Sequence, residues 1–227
     1  MKDKRLICVS SLFQLLVAHS CIKKESKEFT NIIILTNPNT HKNNLIKYKK
    51  IAKILGYKKI VDFSKIVRNL RPKNINEAQN IYKKTVNIND VKEILVRYKL
   101  NLFEHSLINT FKKARISLFE DGIGDYMKRD LLEGKRKKNY IKDFIKFIYF
   151  KLKSSEVLTN FYSNNVYKKR IFKKFELIDD NNGNLKSQHI SNKPFISIKG
   201  NFLSTLKKFK PEKFKKKTIL FLLHDID

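Results

Sequence analysis

The chain has 227 residues, room for one large domain or one and a half, and its 41% apolar and 11% aromatic content can fill a real core, which excludes a disordered chain. Fifty Lys and Arg stand against 21 acids, giving a formal charge of +29 and a pI of about 10.0. Such a surface meets something anionic at least part of the time: nucleic acid, membrane headgroups or an acidic substrate. The cations are mostly Lys, spread along nearly the whole chain among many Asn, so charge alone selects none of the three.

The first stretch, "RLICVSSLFQLLVAHSCI", divides in two. "RLICVS" reads as a short, fully buried strand, and Ser10 or Ser11 can cap a helix whose apolar positions Leu12, Leu15, Leu16 and His19 follow a spacing near 3.6. From Leu6 to Ile22 the segment is shorter than the ~20 apolar residues a membrane span needs, carries Ser10, Ser11, Gln14, His19 and Ser20, and lacks the small-residue cleavage site of a signal peptide. A cytoplasmic protein without a transmembrane helix is expected. Cys8 and Cys21, the only cysteines, sit among apolar residues and read as buried thiols.

"TNIIILTNPN" repeats the strand signal at Ile32 to Leu35 and ends in the turn cluster Asn37, Pro38 and Asn39. A helix from about His41 to Leu55 stops at Gly56, where a C-cap glycine belongs. "YKKIVDFS" offers a third strand, and a helix-leaning region runs from Asn74 to Lys84. "VKEILVRY", a helical "LFEHSLINTFKKA" and the strand "RISLF" follow. Strands alternating with helices of about a dozen residues predict an α/β fold, a Rossmann-like parallel sheet flanked by helices. In such sheets ligands bind outside the carboxyl ends of the strands.

"ISLFEDGIGDY" places Glu120, Asp121 and Gly122 at one such end. A carboxylate there can accept a proton from a hydroxyl, and Gly122 lets the backbone turn sharply beside a ligand. Phe119 and Tyr126 could wall the site and raise the pKa of a partly desolvated acid. Acids beside a glycine are also common turn formers.

After the basic loop "GKRKKN", a helix from about Asn139 to Lys153 would carry Ile141, Phe144, Ile145, Ile148, Tyr149 and Leu152 on one face and Lys142, Lys146, Lys151 and Lys153 elsewhere. It reads as a helix packed on the sheet, the alternative being a basic amphipathic helix seated among headgroups. "DDNNGN" is a turn: Asp180, Asn182 and Asn184 mimic the start of a calcium loop, but Leu185 stands where glycine is needed and no glutamate closes it. "KKTILFLLHDID" reads as a fresh strand, so residues 1–215 are expected to form one domain, with a basic helical region at about 139–175, and 216–227 the first strand of a largely missing second domain. Asp225 and Asp227 form an Asp-x-Asp, more often solvated than metal-binding. His19, His41, His105 and His189 lack metal-ligand spacing, and His105, on the helix before the acidic strand, is the one worth inspecting.

"LFEDGIGDY" resembles the acidic motif, two acids and a glycine followed by a tyrosine, of bacterial sialyltransferases of glycosyltransferase family 52 and the related capsular polysialyltransferases. "LICVSSLFQLLVA" is similar to the opening of those enzymes, where a strand leads into a Thr-Pro-Leu-Gln-like turn; Ser11, Leu12, Phe13 and Gln14 hold those places, with Leu12 where proline is usual. The resemblance covers most of the chain as the amino-terminal part of a GT-B enzyme. It implies inverting transfer of sialic acid from CMP-sialic acid to a cell-surface glycan, lipooligosaccharide or capsule, with no metal or other cofactor. Glu120 would be the general base, Asp121 and Gly122 would shape the loop, and Ser11, Gln14 and Tyr126 would line the substrate cleft. The family's His-Pro pair has no counterpart, since none of the five histidines precedes a proline, His224 included; this chain alone is then expected to be inactive. Two other classes compete: a basic nucleic-acid-binding protein, for which no zinc-finger, RNP or helix-turn-helix pattern is present, so no specific nucleic acid is expected, and a non-catalytic scaffold at an anionic inner-membrane surface.

Overall fold

The computed structural model describes residues 2–25, 28–36, 42–86, 90–98, 100–120, 144–146, 148–149, 151–152, 157, 168–177 and 195–207. Asp121, Gly122 and Tyr126 lie outside the described residues, as do the "GKRKKN" loop, the Asn37–Asn39 and "DDNNGN" turns, His41, His189, His224, Asp225, Asp227 and residues 216–227.

Seven strands form one parallel sheet: β1 (Lys4–Val9), β2 (Thr30–Leu35), β3 (Lys59–Asp62), β4 (Val91–Arg97), β5 (Arg115–Phe119), β6 (Ile171–Glu176) and β7 (Phe195–Ser197), in the order β3-β2-β1-β4-β5-β6-β7. The described helices are α1 (Leu12–Ile22), α2 (Lys42–Ile54), α3 (Ser64–Asn69), α4 (Ile75–Thr85), α5 (Leu102–Thr110) and α6 (Lys199–Leu206), with further helical residues between 144 and 157. The expected Rossmann-like fold is present.

The continuous apolar runs follow from burial on both faces of the sheet. Side chains alternate along each strand, so every run feeds two cores. Leu6, Cys8, Ile32, Ile34, Ile94, Val96, Ile116 and Leu118 pack with Ile75, Ala78, Tyr82, Phe103 and Leu107 of α4 and α5. Ile7, Val9, Ile33, Leu35, Leu95 and Phe119 pack with Leu15, Val17, Ala18 and Ala52 of α1 and α2 and Phe202 of α6. Helix α1 is buried nearly all round, with Val17, Ala18, Cys21 and Ile22 covered, while Leu12 and Leu16, expected on the buried stripe, are only partly so. The reason is α6, which packs beside α1 on the same face of the sheet and joins it through Ser20 Oγ donating to Thr205 Oγ1 at 3.3 Å.

Gly56 ends α2 as expected. Its φ of +90° is left-handed, its N–H donates to Lys53 O at 2.9 Å, and Tyr57 N–H donates to Ala52 O at 2.9 Å, the pair of bonds that closes a Schellman cap. A Cβ there would meet nothing within 4 Å, so a side chain costs backbone strain alone. Gly56→Ala is expected to lower unfolding free energy by about 1–2 kcal/mol in urea titration, and Gly56→Asn by less.

Residues 171–176, read above within a basic helical region, form strand β6. Lys173 and Lys174 interrupt its apolar run, yet Lys174 is itself 2% exposed, with burial pushing its pKa down. The helix read as packed on the sheet shows a different face: Phe144, Ile145, Ile148, Tyr149 and Leu152 are all exposed. Near the amino end of the sheet, Arg5 is fully buried and donates through Nε and Nη2 to Glu93 Oε2 at 2.9 and 2.7 Å and through Nη2 to Glu25 Oε2 at 2.7 Å. Ser117 Oγ donates to Glu93 Oε1 at 2.5 Å, and Lys173 Nζ pairs with Glu25. Four strands are thereby tied by one charged network.

Candidate active site at the carboxyl edge of the sheet

The strand order reverses direction between β1 and β4, so the crevice outside their carboxyl ends is where an α/β sheet takes a ligand. On the β1 side, Ser11 is the N-cap of α1, its Oγ accepting from Gln14 N–H at 3.1 Å. Gln14, 5% exposed, turns back so that its Oε1 accepts from Ser10 N–H at 2.7 Å and Ser10 Oγ at 2.9 Å. This reciprocal pattern resembles a capping box and fixes the turn. Ser11 and Gln14, expected to line a cleft, hold its backbone in shape.

Next along the edge, Arg97 ends β4 and its Nε donates to Glu104 Oε1 and Oε2 at 3.0 and 3.3 Å. Glu104 also closes the capping box of α5: Asn101 N–H donates to its Oε2 at 2.7 Å, and Glu104 N–H donates to Asn101 Oδ1 at 3.1 Å. Tyr98 reaches across the end of β5, its hydroxyl donating to Phe175 O of β6 at 3.0 Å. Sequence reasoning missed Arg97 and Tyr98, although "LVRY" carries the same signal as "LFED", an apolar strand running straight into polar groups.

Glu120 follows β5 directly. It is 2% exposed, and its Oε2 accepts from Leu177 N–H, just past β6, at 2.6 Å. The carboxylate therefore faces the strand ends and not bulk water, and a backbone donor fixes its orientation. It stands two strands from β1, roughly 10 Å at ordinary strand spacing, with the end of β4 between them. The structure brings Glu120 to the same edge as Ser11 and Gln14. Phe119, expected as a wall of the site, is fully buried in the core with Phe175, Ile198 and Phe202, because strand alternation turns it towards α1 and α6.

His105 is a packing residue: it is 2% exposed on α5, and burial pushes its pKa down to about 4. The unfolded chain binds a proton on it near pH 6.5 and the folded chain does not, so stability falls as pH drops from about 6.5 to about 4. Glu25 adds to this at lower pH. Burial raises its pKa, but the hydrogen bonds and charges of Lys173 and Arg5 outweigh that and hold it below the ordinary value, so its contribution is complete above the unfolded carboxylate range and disappears as pH falls through its folded value. The urea midpoint is expected to decline on acidification from pH 6.5, and His105→Gln to flatten the slope above about pH 4; equal slopes would place the sensitivity elsewhere. A cavity of about 340 Å³ lined by Lys113, Arg115, Lys169, Arg170 and Phe172 lies at the opposite, amino edge of β5 and β6, outside this site.

The family model of alpha-2,8-polysialyltransferases matches residues 5–225. The chain belongs to the alpha-2,8-polysialyltransferase family. The sequence resemblance took in two related groups of bacterial enzymes, and the match is to the polysialyltransferase one. Both the β1–α1 turn and Glu120 lie within the matched residues. No curated protein matches the chain. Among solved structures it is similar to a crystal structure assigned to a UDP-N-acetylglucosamine 2-epimerase from Listeria monocytogenes, with a TM-score of 0.50 and 12% identity over 97% of this chain and 51% of that one. A likeness at that identity speaks for the fold alone, and the chain spans about half the length of that protein.

Proposed function

We propose that this member of the polysialyltransferase family serves inverting transfer of sialic acid from CMP-sialic acid to a glycan hydroxyl, with Glu120 as general base and this chain as the acceptor side of a GT-B arrangement. The acceptor oxygen forms a bond to the anomeric carbon while the carbon–oxygen bond to phosphate breaks. The acceptor proton passes to the Glu120 carboxylate, and CMP departs with the bonding electrons. A transition state of oxocarbenium character is stabilised by a nearby carboxylate. The reading calls for no metal and no cofactor besides the donor.

One observation carries this reading: the first acid of the motif is a shielded carboxylate, oriented by Leu177 N–H, at the carboxyl edge of a parallel sheet. Shielding from water is how an enzyme tunes a carboxylate for proton transfer. Ser11 and Gln14 act as positioning residues through the β1–α1 turn. Asp121, Gly122 and Tyr126 keep the roles the resemblance gives them, loop shaping and substrate contact. The same bond to Leu177 also suits a second reading, in which Glu120 is only a latch between β5 and β6. Acceptor-dependent release of CMP from CMP-sialic acid by the full-length protein, with a new glycosidic bond in the product, supports the transfer. CMP release that is indifferent to every glycan offered would count against it.

A further inference from the structure

At the amino edge of β5 and β6, a strand's length from Glu120, the charged lining of a cavity of about 340 Å³ is Lys113, Arg115, Lys169 and Arg170, with no carboxylate among the lining residues. Arg170 belongs to the frame. Its Nε and Nη2 donate to Ala114 O at 3.1 and 2.8 Å, Nη2 also donates to Phe111 O at 2.8 Å, and Nη1 donates to Ile108 O at 3.2 Å. Carbonyls that α5 leaves open at its end are thereby satisfied, and the backbone on which Lys113 and Arg115 flank Ala114 is fixed. Arg115 is held in turn by Phe172, its guanidinium carbon 4.7 Å from the ring centroid.

Three cations are left around one small space. Lys113, Arg115 and Lys169 are exposed, and among the described residues no acid pairs with any of them, whereas Lys4, Arg5, Arg97 and Lys173 on the strands each have a carboxylate partner. Like charges gathered without a counter-ion repel one another, and a bound dianion replaces that repulsion with attraction. A planar guanidinium matches two phosphate oxygens, and ammonium groups on flexible stems reach the others. We propose that this cavity binds a small phosphorylated ligand, its phosphoryl group held between Lys113, Arg115 and Lys169. The volume falls at the low end of the about 300–1,000 Å³ of ligand pockets, the size of a pyrophosphate or a sugar phosphate. The site lies at the opposite end of the sheet from Glu120, so its failure leaves the transfer reading untouched.

The test is calorimetric titration of the full-length protein with inorganic phosphate, pyrophosphate and ribose 5-phosphate, at about 0.15 M salt to screen the general surface charge. Saturable binding at one site per chain is expected for at least one probe, and the ranking of the three separates a free phosphate from a phosphorylated sugar. Affinity should fall by about tenfold or more in Lys113→Ala/Lys169→Ala, which removes two charge-assisted contacts. Lys49→Ala/Lys53→Ala takes the same charge from α2 and should stay within about twofold of the parent. All four lysines are exposed, so both variants keep the core. Equal losses in the two variants would assign the binding to diffuse charge, and that result, several equivalents bound per chain, or no binding of any probe would each overturn the assignment.

Discussion

Glu93→Ala is expected to lower unfolding free energy by about 3–5 kcal/mol, a large part of the roughly 5–15 kcal/mol that a domain has in total. The variant leaves the fully buried guanidinium of Arg5 without the carboxylate that takes both its Nε and Nη2 hydrogen bonds, and leaves Ser117 Oγ without its acceptor. Arg5 has no slack to absorb the loss, since its Nη1 is buried without a hydrogen-bond partner. Glu25 still pairs with Nη2, and the ring of Phe29 still lies 4.1 Å from the guanidinium carbon, so a partly compensated cation remains inside the protein. Removing both charges should be far milder than removing one, because two apolar side chains of similar volume satisfy the site without an orphaned ion. Arg5→Met/Glu93→Leu is therefore expected to recover most of the loss in a urea titration. A single variant within about 1 kcal/mol of the parent would show that the network adds nothing.

Glu120→Gln is the second large effect. The amide keeps the size of the side chain and an oxygen that can accept from Leu177 N–H, so the tie between β5 and β6 survives. What the variant loses is basicity. A positioned general base is worth about 10²–10⁴-fold in rate, and transfer should fall by that factor with the thermal midpoint close to the parent's. Glu120→Ala removes the acceptor as well and leaves a partly buried backbone N–H without its partner, so it should lose stability by about 1–3 kcal/mol in addition to activity. A latch without catalytic duty predicts the reverse pattern, with Gln near parental in both properties and Ala impaired only through stability.

How much of this was legible depended on whether the deciding contacts were local. Strands β1, β2, β4 and β5 announced themselves as unbroken apolar runs because both faces of each are covered. The Ser11 cap and the Gly56 stop are written within a few residues and were readable as such. Strand β6 was hidden by Lys173 and Lys174, whose long apolar stems let them sit in or beside the core. Phe119 could be placed against the site or in the core with equal ease from its position before Glu120, and only the packing of α6 on α1 decides for the core. The pairing of Arg5 with Glu93 joins residues 88 positions apart, and no spacing rule reaches that far. At the candidate site, the acid and the turn were legible, while the partner that orients the acid, Leu177 N–H, directly follows a strand that was not.

The most direct measurement is the pH dependence of kcat/KM for the acceptor, compared between the full-length parent and Glu120→Gln. This ratio reports the ionisation of an essential base in the free enzyme. The parent should show an acidic limb that the Gln variant lacks, its residual transfer running flat across the same range. An acidic limb that persists in the variant, or transfer at the parental rate, would contradict Glu120 as the group that receives the acceptor's proton.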